Sequence, residues 1–524
     1  MRQKFVGGYA WSHGLGTFEG LLVEDGQIVA TGQAALNSDA DQTINLDGKF
    51  IIPAFGDGHA HPIFAGREAA GPKVTGLKTL PEIVNAVKTF ATNNPELPWI
   101  IGGAYEASLI DGGDFDAHWL DEVVSDRPVV LHAVDHHTIW VNSKALEIAG
   151  ISASTENPMG GSIARREDNS PKGTLREPQA FALVLDHAPG NTIESDCQAI
   201  KYACDQYLKS GVTFANDSWL EEGMAEAYLA AVKSGDLTID MNISFLANPE
   251  TWRADIPKIQ SLVKEFEPYK SQVNAKSIKF LSDGALSSGT AALLEPYLDQ
   301  PDFSGLKIWS DVELTAAVKE FDARGFQIHI HAIGDAAIRQ ALDAFEAMAR
   351  VNPKWDRRPV LVHAQLISPE DLPRFKELGV IANMQPLWMY LDPMNKELIL
   401  PRIGADRNNL QYQLRTLVNS GATIAFGSDW PVTSEVPLEA LFVPVDRNGP
   451  SGGEVWSPQE AITIEESLQF YTTNVAYQNF RENELGKLEV GYKADFVLLN
   501  ASPFESKELV IDSVYKNGKL VKQA

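Results

Sequence analysis

Cysteine is nearly absent from this sequence: only Cys197 and Cys204 occur among 524 residues. They stand seven apart in a helix-like stretch and read as reduced thiols on one face of a core helix. That excludes a disulfide framework and argues against a cysteine-ligated metal site. Basic charge is also short, with 44 Lys and Arg against 70 Asp and Glu and a formal charge of −26. Acidity of this size repels nucleic acid and anionic membrane. No apolar run reaches the ~18 residues of a membrane-spanning helix. The first residues, Met1 to Gly8 (MRQKFVGG), meet two glycines before any apolar core, unlike a secretory leader. Low-complexity tracts, repeats and long charge runs are missing too. The expectation is a soluble protein with the cytoplasm as its default compartment. Neither nucleic acid nor membrane is expected as a partner, and the oligomeric state, a homo-oligomer included, stays open.

What is present is ordinary globular material, 44% hydrophobic and 22% charged. The length exceeds one compact core, so one large domain with smaller additions is expected. Phe18 to Thr31 (FEGLLVEDGQIVAT) reads as two strands joined at Asp25-Gly26. Ala494 to Leu499 and Ser513 to Val521 read as strands at the other end. A small β-sandwich built from 1–50 and 485–524 is expected. Between them, 51–484, strands alternate with amphipathic segments such as 311–324 and 336–350. The apolar runs are 51–56, 211–216, 238–246, 277–282, 326–332, 360–364, 379–384 and 422–428. Eight strands with helices between them fit a (β/α)8 barrel, an α/β fold; a doubly wound open sheet would alternate similarly. The gap after the first run, 65–190, reads as an insertion covering the barrel mouth.

The chemistry-bearing residues fall at the ends of these runs. The first leads into Asp57-Gly58-His59-Ala60-His61-Pro62. Side chains two apart on a strand point the same way, so His59 and His61 would converge at a barrel mouth. Neutral imidazole suits zinc and similar divalent ions. Taken alone, the pair also fits two surface histidines in a turn. His331 ends the run in QIHIHAIGD, His363 the run in PVLVHAQ, and Asp429 the run in ATIAFGSDWP. A lone histidine there fits a hydrogen-bonded structural role, and a lone Asp after Gly-Ser fits a helix N-cap. Four histidines and an aspartate in consistent positions on the catalytic face point instead to one metal site. His329, two residues before His331, reads as a residue supporting the ligands from one layer deeper or as structural, rather than as a ligand.

The order H-x-H, Lys, His, His, Asp resembles the amidohydrolase superfamily. Closer in, IIPAFGDGHAHP, HHTIWVNSKALEIAGI, KGTLREP, GVTFAND, IKFLSDGALSSGTAALLEPY, IHAIGDAA, FGSDWPV and LGKLEVGYKADFVLL resemble its YtcJ-like, amidohydrolase-3 branch. That branch includes N-substituted formamide deformylases. Ala54-Phe55-Gly56 departs from its usual pattern without touching the ligands. The resemblance implies a metal-dependent hydrolase acting on a non-peptide C–N bond, and makes His59, His61, His331, His363 and Asp429 the metal site. It adds Lys279, either carboxylated on Nζ and bridging two ions, or an ordinary ammonium paired with Asp283 or Asp429. One or two divalent ions, with zinc foremost, are therefore expected. Such an ion lowers the pKa of its water from 15.7 towards roughly 7, giving hydroxide at neutral pH. Asp429 would accept the water's proton and pass it to the leaving nitrogen. Asp57 and Asp335 would orient imidazoles, or Asp335 would cap a helix.

For the substrate, a small molecule, the resemblance points to His137 and Asn142 as pocket residues, with a buried structural role as the alternative for His137. Trp388, Met389, Tyr390 and Trp430 follow strand ends and would form an apolar wall favouring a hydrophobic N-substituent. An esterase, lactonase or phosphoester hydrolase on the same barrel is the competing enzyme reading. An inactive scaffold is the remote one, since such proteins usually lose ligands.

Overall fold

Most of the apolar runs are strands of one parallel sheet. The computed structural model describes residues 1–158 and 160–523; Ala524, the last residue of the expected sandwich segment, lies outside them. Eight strands neighbour one another in chain order: β1 (Phe55–Ala60), β2 (Val212–Leu220), β3 (Asp240–Leu246), β4 (Val273–Leu281), β5 (Gln327–Ala332), β6 (Val360–His363), β7 (Ile381–Met384) and β8 (Thr423–Phe426). Helices such as Asp311–Ala323 and Asp335–Val351 separate them. Such strands are buried on both faces, so apolar residues occur on either side of them and the polar ones they carry, such as Asn216, Gln327 and Asn383, are buried too. The sheet curls until β8 meets β1. Just beyond the strand ends, Asp429 N donates to His59 O and His61 N donates to Trp430 O, both at 2.7 Å. Gly427 permits this approach, because a Cβ there would stand 2.6 Å from His59 N. The result is a (β/α)8 barrel.

One boundary needs correction. The run 51–56 was expected to be the first barrel strand, but Phe50–Pro53 pairs antiparallel with Phe496–Leu499 in a different sheet. The barrel strand is β1, whose sequence FGDGHA is hardly apolar. Space selects it: a Cβ at Gly56 would meet the Phe214 ring at 2.3 Å, and one at Gly58 would meet Asn383 Nδ2 at 2.4 Å.

The two chain ends meet in β-structure. A six-stranded sheet joins Tyr9–Ser12, Gly16–Phe18 and Phe50–Pro53 to Phe496–Leu499, Ile511–Lys516 and Lys519–Gln523. A four-stranded sheet from the N-terminal segment packs with it, and Phe5 lies edge-on to Phe496 at 5.1 Å between ring centres. After β1, a five-stranded sheet spans Ile100–Tyr105 to Pro171–Arg176. It has its own core of Tyr105, Phe115 and Trp140. Among the described residues, no helix is long and apolar enough to cross a membrane.

A buried carboxylate braces the entry to β6. Asp322, near the end of the helix Asp311–Ala323, is 0% exposed and accepts from Asn352 Nδ2, Trp355 Nε1 and Arg357 Nε at 2.8, 2.9 and 2.8 Å. Asp322→Ala would strand these donors, so it is expected to cost about 3–5 kcal/mol. Urea unfolding checks this, and a loss under about 1 kcal/mol would show the brace to be incidental.

Candidate metal centre

A cavity of about 880 Å³ lies at the C-terminal ends of the barrel strands. His59 is the penultimate residue of β1, His61 follows that strand, and Asp429 sits three residues beyond β8. Their donor atoms all lie within 4.8 Å of one another. His59 Nε2 and His61 Nε2 each approach Asp429 Oδ1 at 3.1 Å. Yet neither Asp429 Oδ1 nor His59 Nε2 has a hydrogen-bond partner, though both are buried. The contact is close without the angle that shares a proton. Tetrahedral ligands 2.0–2.1 Å from a zinc ion stand roughly 3.3 Å apart, so orphaned lone pairs at this spacing fit a divalent cation.

The charge states agree. Burial, helped by the Lys279 ammonium, pushes the His59 imidazolium well below its ordinary value. Burial likewise lowers His61 against the pull of Asp429. Burial opposes ionisation of Asp429, but the imidazoles beside it hold its carboxyl well below the usual range. Two neutral imidazoles and an ionised carboxylate thus converge.

His331 and His363 stand one ring further on. Ring centres are 5.1 Å apart for His59 and His363, and 4.6 Å for His363 and His331. His363 Nδ1 lies 2.8 Å from Gln385 Oε1, which leaves Nε2 free. His331 Nε2 lies 3.3 Å from Gly284 O, which leaves Nδ1 free. Burial keeps both neutral. The five expected ligands therefore form a tight trio and an adjacent pair.

Lys279, on β4, is 1% exposed. Its positive charge depresses the pKa of His59, His61, His331 and His363 alike, which marks it as central to both groups. Burial brings its own pKa down to about 7, with Asp429 pulling the other way. It makes no hydrogen bond or ion pair among the described residues, so the expected alternative of pairing with Asp283 or Asp429 is not realised. Two site residues also hold left-handed backbone, His363 at φ 74° and Asp429 at φ 58°. Strain of this kind in non-glycine residues is tolerated where surrounding structure enforces it.

The supporting carboxylates differ from expectation. Asp57 accepts from Ser428 N at 2.9 Å and from Tyr207 Oη at 3.1 Å, so it ties β1 to the loop carrying Asp429 and does not orient an imidazole. Asp335 accepts from Leu294 N. Asp283 accepts from Ala292, Ile333 and Gly334 N and stands 3.6 Å from His331 Nε2. His329 is hydrogen-bonded to Gln327, one layer deeper.

His137 lines the cavity, its ring centre 5.6 Å from that of His331. Its Nδ1 lies 2.8 Å from Glu177 Oε2. Burial alone would lower its pKa; the Glu177 carboxylate outweighs burial and raises it to about 9. Glu177 was not anticipated, although it lies in the KGTLREP segment. A raised imidazole pKa adds stability below the unfolded value of about 6.5, and that stability is lost as pH climbs through the folded value. Glu177→Gln is therefore expected to lower the thermal midpoint below pH 6.5, with the deficit shrinking as pH rises through about 9. A pH-independent deficit would contradict the pairing.

Two expected pocket residues are elsewhere. Asn142, 0% exposed, is the N-cap of the helix Ser143–Ile148. Its amide accepts from Ala145 N and Val129 N and donates to Val124 O and Arg127 O, which uses the side chain fully. Trp430 turns away from the cavity and packs on Tyr207, ring centres 5.2 Å apart. Met389 is core. Trp388 does form cavity wall, lying parallel to His363 at 5.0 Å. Phe64, Phe181 and Trp219 also line the cavity.

Known proteins resemble this chain over most of its length. The profile of the amidohydrolase family matches residues 42–522. The putative amidohydrolase YtcJ of Bacillus subtilis is 30% identical over 503 residues, 93% of this chain and 91% of its own. N-substituted formamide deformylase of Arthrobacter pascens is 26% identical over 528 residues, covering 96% and 94%. The crystal structure of an uncharacterized metal-dependent hydrolase from Pyrococcus furiosus superposes with a TM-score of 0.73 at 25% identity, covering 96% of this chain and 100% of that one.

Proposed function

The chain belongs to the amidohydrolase family, and we propose that it hydrolyses a non-peptide C–N bond, in an amide, N-formamide or cyclic amide, of a small molecule with an apolar N-substituent. The observation that carries this reading is the convergence of His59, His61 and Asp429, with His59 Nε2 and Asp429 Oδ1 buried and unpaired, on a largely apolar cavity. The named activity of the Arthrobacter relative supports the choice of bond.

His59, His61 and Asp429 would hold one divalent ion, with zinc favoured by the nitrogen-rich set. His331 and His363 would hold a second if Lys279 is carboxylated. A lysine near neutrality at about 7 is partly free amine, and a free amine adds carbon dioxide to give an anionic carbamate. When bound, the ion supplies Lewis acidity that polarises a carbonyl and acidifies water. Asp429 takes the proton of the attacking water and returns it to the departing nitrogen, since an amide anion leaves poorly. The His137 imidazolium, fixed by Glu177, donates to the carbonyl oxygen as negative charge grows there. Trp388, Phe64 and Phe181 exclude water and bind the N-substituent.

A panel of N-formyl amines, N-acyl amino acids, lactones and phosphotriesters tests the assignment. Turnover is expected for the formyl and acyl amines. Turnover confined to esters, lactones or phosphotriesters would overturn the C–N reading.

A further inference from the structure

The cavity wall contains a corner where two carboxylates and a buried amide oxygen lie beside two tyrosines. Glu106, Asp392 and Asn395 all line the cavity, as do the rings of Tyr390 and Tyr412. Asp392 spends Oδ1 on Asn395 N at 2.7 Å. Glu106 spends Oε1 on Ser108 N at 3.1 Å and on Ser108 Oγ at 2.8 Å. The second oxygen of each carboxylate has no donor, and neither group has an ion-pair partner among the described residues. Lys396, the cation whose charge reaches Asp392, is 44% exposed and paired with Glu454 at 3.3 Å; the buried Arg447 lies on the Tyr412 side and does not line the cavity. The independent sign is Asn395. It is 3% exposed, and its amide oxygen is buried without a hydrogen bond. A buried acceptor left unpaired is costly and calls for a donor.

Three idle acceptors beside two aromatic rings suit a positively charged N–H group. Charge-assisted hydrogen bonds and cation–π attraction then act together. We propose that this corner is a cation subsite that takes an ammonium group at the far end of the substrate's apolar N-substituent. The inference rests on the reading of this cavity as the hydrolase's active site and narrows its substrates to amphipathic amines. The chain's acidity would draw such molecules in. Burial, reinforced by Glu106, raises the Asp392 pKa to about 6, so the subsite would weaken in mild acid.

Calorimetry on the zinc-loaded protein tests this without turnover, using phenylbutylammonium against the uncharged phenylbutanol at neutral pH. The ammonium is expected to bind at least about tenfold tighter. Asp392→Asn should erase most of that gain and leave the alcohol's affinity unchanged. Glu106→Gln, on the insertion, carries the same expectation if the first variant fails to fold. Equal affinity for the two probes would overturn the subsite, and so would a gain that survives both substitutions, since that would place the amine on the metal. Neither result touches hydrolysis, and failure of the whole C–N panel would leave the binding difference standing.

Discussion

Asp429→Asn is expected to lower turnover by about 10²–10⁴-fold while the protein stays folded, because the change removes a proton acceptor and little else. The Asp429 carboxylate makes no hydrogen bond through Oδ1, so asparagine strands no protein donor there. The bond from its backbone N–H to His59 O at 2.7 Å, which helps close the barrel, is untouched. Its left-handed backbone at φ 58° is one that asparagine adopts more readily than most residues. The amide keeps an oxygen where the carboxylate had one, so ion binding should weaken without vanishing. What is lost is the basic oxygen that takes and returns a proton. Steady-state kinetics, a melting curve and zinc content read the three effects separately. Turnover within a few-fold of the parent protein would remove Asp429 from the proposed proton transfer.

The barrel was legible because of where parallel strands sit. β6 and β8, covered on both faces, read as nearly unbroken apolar runs, and β4, β5 and β7 as apolar runs broken by a few buried polar residues, so ligands at the strand ends stood out. β1 was misplaced because its identity is set by crowding at Gly56 and Gly58, which leaves no apolar signature. The metal-site candidates were readable for the same positional reason: His59, His331, His363 and Asp429 each lie at or just past a strand end. Gln385, Asp283 and Glu177 act through partners 22, 50 and 40 positions away, and no local pattern announces such a pairing. Asn142 and Trp430 show the opposite error. Both stand beside chemistry-bearing residues in the chain, yet an asparagine opening a helix was readable as a cap, and the residue after Asp429 faces away from its neighbour.

Withdrawing the metal with a strong chelator is expected to lower turnover by at least about 10³-fold and to lower the thermal midpoint. The second effect follows from linkage. An ion that binds only the folded chain stabilises it by about 4.1 kcal/mol at a thousand times its dissociation constant. Neutral His59 and His61 beside an ionised Asp429 offer the folded chain a site that the unfolded chain lacks. His59→Ala should reproduce both losses, and zinc should no longer repair them. Reloading the parent protein then separates one ion from two. If Lys279 becomes a carbamate, its recovery consumes carbon dioxide as well as zinc. Full activity should then lag in carbon-dioxide-free buffer and return faster with bicarbonate, with two zinc ions bound per chain. Equally fast recovery with and without bicarbonate, at one zinc per chain, would leave Lys279 an unmodified amine and His331 and His363 without a shared ion to hold.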